Sequence, residues 1–291
     1  MSAAGMRSTV RRRSRFRRRA TRVTLYALMA GLCVIFAFPL AWMILSSLKT
    51  AQETIHVPPI WLSASPSLAA FSKVSDIIDV QNSLANSAII AGVTTAGILA
   101  TSLMAGYVFA KHRFRGRDLL FAVIIATMFL PPIVTLIPLY RIIEAVHLDG
   151  RLAGVILPNL ANAFGIFLMR QFIAGTPDEL IEAARIDGAS ELRIVFRIVA
   201  PTVVPALATL GLFAFVYHWN SYLWPLTVLQ GSDNAYPIVL SLSRLLSYNR
   251  SAINTNLVMA GATLAVLPPM LLFALLQRTF VRTIVSTGLK G

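Results

Sequence analysis

Residues 84–110 read LANSAIIAGVTTAGILATSLMAGYVFA, 27 positions without a charged side chain. A helix of that length reaches about 40 Å, more than the roughly 30 Å hydrocarbon core of a bilayer. The run is continuously apolar and lacks the two-residue alternation of a barrel strand, so it predicts a membrane-spanning helix. Five further charge-free runs meet or approach that length, at 25–48, 119–140, 152–169, 198–230 and 257–277. The run at 152–169 is the shortest and contains Pro158. The expected fold class is an all-α membrane protein with six transmembrane helices between residues 25 and 277.

Composition agrees. The chain has 291 residues, 56% hydrophobic and 13% charged, with a mean hydropathy of +0.71. A soluble domain carries roughly 25% charged residues, so a cytosolic enzyme and a disordered chain are both excluded. Cys33 is the single cysteine, which rules out a disulfide or a cysteine metal site within the chain. His56, His112, His147 and His218 are too scattered to form a metal-ligand pattern. There is no Gly-Lys dipeptide, hence no phosphate-binding loop, and no nucleophile constellation. No catalytic residue, metal or cofactor is expected in this chain.

The net charge of +14 would suit nucleic acid. Nine of the 26 Lys and Arg, however, lie within the first 22 residues, so no nucleic-acid partner is expected. Residues 1–24 read as a disordered basic tail that anchors topology, the other reading being a contact with anionic headgroups or RNA. The apolar run behind it has 24 residues, too long for a signal peptide's 7–15, and lacks a small-x-small exit site. It should stay as the first span. With six spans the termini share a side. Segments 1–24, 111–118, 170–197 and 278–291 then hold twenty of the Lys and Arg, while the acids divide evenly. The positive-inside rule places both termini, and a tail at 278–291, in the cytoplasm.

The longest loop on that side, 170–197, is not a linker. Thr176-Pro177-Asp178-Glu179 predicts a helix start, with Thr176 as cap and Glu179 closing a capping box. Ala183 and Ala184 continue the helix, Gly188 supplies a bend, and a second helix from Ser190 leads into the fifth span past Pro201 and Pro205. Small residues admit a partner's backbone. Asp178, Glu179, Glu182 and Asp187 would be repelled by an anionic leaflet, so a protein partner is the better reading than a lipid-lying helix.

Glu182-Ala183-Ala184, then Asp187-Gly188-Ala189, Phe196, Ile198, Pro201 and Pro205 resembles the "EAA" loop of ABC importer permeases over about 24 positions. Ala200 departs mildly, where that family often has Leu. Trp219 through Leu226 is similar to the fifth-span signature of maltose-type carbohydrate permeases. Gln277 to Gly291 resembles the ending of their smaller six-span subunit. The basic tail lies outside the pattern. The resemblance implies a type I importer permease in a bacterial inner membrane. It implies that Glu182, Ala183, Ala184, Asp187, Gly188, Ala189 and Pro201 dock into a cytoplasmic ATPase dimer that holds ATP and Mg. A second permease subunit and an extracytoplasmic solute-binding protein complete the implied assembly, surrounded by membrane lipid.

Asn82, Asn86, Tyr217, His218, Asn220 and Tyr222 offer hydrogen-bonding and stacking groups suited to a sugar pathway. His218 is the only ionisable residue within a span, which argues function. Its neighbours Trp219 and Trp224 also suit an aromatic belt. Leu130-Pro131-Pro132 and Leu267-Pro268-Pro269 predict kinks that either line the pathway or serve packing. The turn-rich Gly231-Ser232-Asp233-Asn234 could reach a binding protein or simply connect spans. A secondary transporter or scaffold is the rival class, but it would favour buried acids, and no span contains Asp or Glu. An ABC permease for glycerol-phosphate-type solutes is the nearer alternative.

Overall fold

The computed structural model describes residues 3–248 and 254–288. Among the described residues the regular elements are all helices, with no strand. In chain order the helices are α1 (Ala3–Ser47), α2 (Ala51–Thr54), α3 (Ala69–Ile77), α4 (Val80–Lys111), α5 (Arg117–Thr127), α6 (Pro132–Ala145), α7 (Leu152–Ile156), α8 (Ala163–Ala174), α9 (Asp178–Ile186), α10 (Glu191–Ile194), α11 (Ala200–Thr202), α12 (Val204–Trp219), α13 (Leu223–Val228), α14 (Ile238–Tyr248) and α15 (Thr255–Gly288). Two compact units result, residues 1–72 with 251–263, and residues 73–250 with 264–291.

Three helical stretches are each long and apolar enough to cross a bilayer: Thr21–Ser47, α4, and Thr255–Leu275 within α15. Three bent pairs meet the same test together: α5 with α6 at 101°, Leu152–Asn159 with α8 at 40°, and Glu191–Thr202 with α12 at 90°. Taken as one span each, the pairs bring the number to the expected six. Proline explains the breaks. Pro131 and Pro132 interrupt the expected 119–140 span because neither donates a backbone hydrogen bond, and Pro132 restarts the helix at its first position. Pro158 falls in the 3₁₀ turn Leu157–Asn159, and Pro201 follows the π-helical turn Val195–Val199. The expected 198–230 run therefore divides into α11, α12 and α13.

Helices run through two of the expected boundaries. Where a disordered tail was expected over 1–24, α1 is helical from Ala3, since Arg and Ala are strong helix formers and no proline interrupts 1–24. The expected tail at 278–291 is helical as far as Gly288, and Leu289–Gly291 lie outside the described residues.

In the first unit, the Lys49 ammonium sits 4.0 Å from the Trp42 ring centre, and Lys49's carbonyl accepts from Asn256 Nδ2 at 3.1 Å. Trp61 meets Trp42 edge-on. In α2, Glu53 accepts from the backbone of Thr50 (2.9 Å) and Ala64 (3.2 Å) and from Ser63 Oγ (2.8 Å). Those donors stabilise the carboxylate, the Thr50 backbone most, and push the Glu53 pKa down to about 2.

In the second unit α4 is the central post, packed on α8 and α12 through Ile98, Leu103, Met169, Ile173, Ala206 and Leu210. Gly106 lets α4 and α8 touch: a Cβ there would lie 2.6 Å from Met169 Cβ. A second cluster joins Ile90, Ile143, Val155, Val228, Tyr236 and Leu240. Outward faces are apolar, with Leu119, Phe129, Val134 and Ile137 exposed on α5, α6 and the turn between them, as a lipid-facing surface requires.

Candidate functional site

Helix α9 buries Ile181 and Ala184, three residues apart, and leaves Glu182, Ala183, Ile186, Asp187 and Gly188 at the surface. Its end is a Schellman motif. The Ala189 N–H donates to the Ala184 carbonyl at 2.9 Å and the Gly188 N–H to Arg185 at 3.0 Å. That geometry needs a left-handed residue, and Gly188 has φ +76°. Ser190 then caps α10, accepting from Arg193 N–H at 3.4 Å. The result is a helix, a corner and a second helix, with Pro201 exposed two turns further on. The expected capping box at Thr176 is absent: the Thr176 hydroxyl pairs with Thr202 Oγ1 at 3.1 Å, and α9 has no side-chain cap.

Polar contacts brace the corner. Arg185 Nε donates to Glu191 Oε1 at 2.8 Å, across the bend. This hydrogen bond raises the Arg185 pKa further above its already high value. Tyr107 on α4 donates its hydroxyl to Glu191 Oε2 at 2.7 Å, and Lys111 donates to Asp178 Oδ1 at 2.6 Å. No sequence signal marked Tyr107, Lys111 or Glu191, because their partners lie 65 residues or more away or across a corner.

The expected pathway residues separate into two groups. Tyr217, Asn220 and Tyr222 line a cleft of about 630 Å³ with Trp224, Asn159, Thr135 and apolar residues of α6. Among the described residues none of those lining it is charged. His218 is half-buried beside it, its ring edge-on to Tyr217 at 5.1 Å between centres. Asn82 and Asn86 are elsewhere. Their amides donate to the Asn234 carbonyl at 2.6 and 2.8 Å, tying the 231–237 turn to the start of α4. Asp233 accepts from Arg244 of α14 at 2.6 Å, so Ser232, Asp233 and Asn234 form a braced turn with Gly231 at φ +83°.

Prolines 268 and 269 do not break α15. Pro269 has no N–H for the Ala265 carbonyl four residues back, and Trp219 Nε1 donates to that carbonyl at 3.0 Å. Trp219 is 2% exposed, so it is a packing residue and not part of a lipid-facing belt.

Residues 97–286 match the family described as binding-protein-dependent transport system inner membrane component. The chain is similar to the arabinooligosaccharides transport system permease protein AraQ of Bacillus subtilis (strain 168), at 31% identity over 92% of this chain and 95% of that protein. It is 34% identical to the sn-glycerol-3-phosphate transport system permease protein UgpE of Brucella suis biovar 1, over 87% of this chain and 92% of that protein. In fold it is similar to a chain of a crystal structure of a bacterial ABC transporter involved in the import of the acidic polysaccharide alginate. That match has a TM-score of 0.77 and 22% identity, covering 90% of this chain and 97% of the other.

Proposed function

This chain belongs to the family of binding-protein-dependent transport system inner membrane components, and from that premise we propose that it is the smaller transmembrane subunit of an ATP-driven importer of a carbohydrate. It forms half of the translocation pathway beside a second permease subunit. ATP and Mg are held by a cytoplasmic ATPase dimer, and a solute-binding protein delivers the solute from outside. Both termini and α9 face the cytoplasm, consistent with the excess of Lys and Arg on that side.

The observation that carries the reading is the corner at Gly188. Glu182, Ala183, Asp187 and Gly188 are all exposed on a bracket whose inner face is packed, the form of a surface built to be gripped. An ATPase that closes on this bracket would move it as a rigid body, which alternates access to the pathway. The braced turn at Gly231 to Asn234 lies by the start of α4, at the opposite end of that helix from the bracket, and suits contact with the binding protein. The cleft supplies Tyr222, Tyr217 and Trp224 rings and the Asn220 and Asn159 amides, groups that stack on and hydrogen-bond sugars. Its uncharged lining favours a neutral saccharide, like the solutes AraQ is named for, over a phosphate-bearing one.

The test is to purify the assembled importer from its native membrane and measure ATP hydrolysis with binding protein and arabinotriose or glycerol 3-phosphate. Recovery of an ATPase with the chain, and stimulation by arabinotriose, are expected. ATP-independent uptake by the chain alone would contradict the proposal.

A further inference from the structure

Both ends of α9 are fastened to one face of α4. Tyr107 and Lys111 are four residues apart on that helix and so project from the same side. Lys111 Nζ, on a side chain 9% exposed, donates to the Thr176 carbonyl at 2.5 Å and to Asp178 at 2.6 Å, where α9 begins. Tyr107, 1% exposed, reaches past the far end of α9 to Glu191. The same carboxylate holds Arg185 of the last α9 turn, and His112 Nε2 lies 3.4 Å from it. We infer that Tyr107 and Lys111 are positioning residues that carry movement of α9 into α4; the inference rests on α9 being the ATPase contact.

Apolar packing alone holds α9 to the unit without direction, because the hydrophobic effect is roughly proportional to area. Charge-assisted hydrogen bonds are short and directional, so two of them at separate points fix both place and angle. Arg185 and Glu191 close the corner at Gly188, so the bracket moves as one piece. Beyond the attachment, α4 packs directly on α8, with Gly106 against Met169 so close that a Cβ would not fit. A force on α9 is therefore delivered to α4 and α8 together. Helix α4 is about 48 Å long at 1.5 Å per residue, and its other end holds the 231–237 turn through Asn82 and Asn86.

The experiment uses the whole importer, with its second permease and ATPase, reconstituted in liposomes in a Cys33→Ser background. Gln81→Cys reports on the far end of α4 through its rate of labelling by a maleimide, with and without ATP plus vanadate. Ile186→Cys, in a parallel sample, reports ATPase contact by crosslinking. In the parent, nucleotide trapping is expected to change the Gln81→Cys labelling rate. In Tyr107→Phe and in Lys111→Met the nucleotide-dependent change should shrink about tenfold or more, the factor carried by a lost hydrogen bond to a charged group. Trapping and the Ile186→Cys crosslink should persist. Lys111→Arg, which keeps the charge and the donors, should restore the response. An undiminished response in both variants overturns the inference, as does loss of the crosslink in them, which would make these residues part of the docking surface. Absence of the crosslink in the parent overturns the underlying reading of α9 instead.

Discussion

Trp219 and Pro269 are 50 positions apart in sequence, yet the indole N–H of one supplies the donor that the other has removed. The Ala265 carbonyl is held by that indole at 3.0 Å in a buried site. Trp219→Phe keeps the ring face and loses the donor, so it should cost about 1–3 kcal/mol through an unsatisfied buried carbonyl. Trp224→Phe should cost less: the Val155 carbonyl that Trp224 reaches at 3.2 Å also accepts from Asn159 Nδ2 at 2.9 Å. Thermal unfolding of the detergent-solubilised importer, comparing the two variants, checks the order. The sequence pointed to the prolines as kink sites and to the tryptophans as aromatic, but not to their pairing, which depends on how α12 packs on α15. Asn82 and Asn86 teach the same point. Their amides read as hydrogen-bonding groups for a solute from type alone, and it is the fold that brings the Asn234 carbonyl within their reach.

At the scale of elements, the bracket was the most legible part of the chain. Gly188 is the one residue type that closes a Schellman corner without strain, and the alanines and acids around it set which face stays open. Gly188→Val has space for its Cβ, with nothing within 4 Å, but forces a β-branched residue to φ +76° and adds bulk to the exposed face. It should lower stimulated ATP hydrolysis while the protein still inserts and assembles; unchanged stimulation would count against docking there. Less legible was α14, an amphipathic helix whose Ile238, Leu240 and Leu245 are buried and whose Ser241 meets Ser83 Oγ at 2.7 Å. Eleven residues carrying Arg244 are too short and too polar to read as a span. The bends were only half legible, since proline predicts a break but not the angle across it. The loop around Glu53 offers a pH test. Its carboxyl is held down to about 2, below an ordinary value of 4.5, so its stabilising bonds are complete above pH 4.5 and are lost only as pH falls toward 2. The Ala64 amide, which donates to Glu53, should stay protected from hydrogen exchange at pH 4 and lose protection at that pH in Glu53→Gln.

For the whole molecule, charge-free runs predicted six spans, a number the helices reach when each bent pair is taken as one span. Lys and Arg placement gave an orientation that the fold itself does not carry, because helices packed the same way serve either direction across a membrane. The decisive measurement is therefore the side and the partner of Ile186, which is 86% exposed on α9. With Ile186→Cys in a Cys33→Ser background, a membrane-impermeant maleimide is applied to inside-out and right-side-out vesicles, with and without the ATPase. Labelling only in inside-out vesicles, blocked when the ATPase is bound, is the expected result; labelling from the outer face, or labelling that the ATPase leaves unaltered, would contradict the docking of an ATPase on this corner.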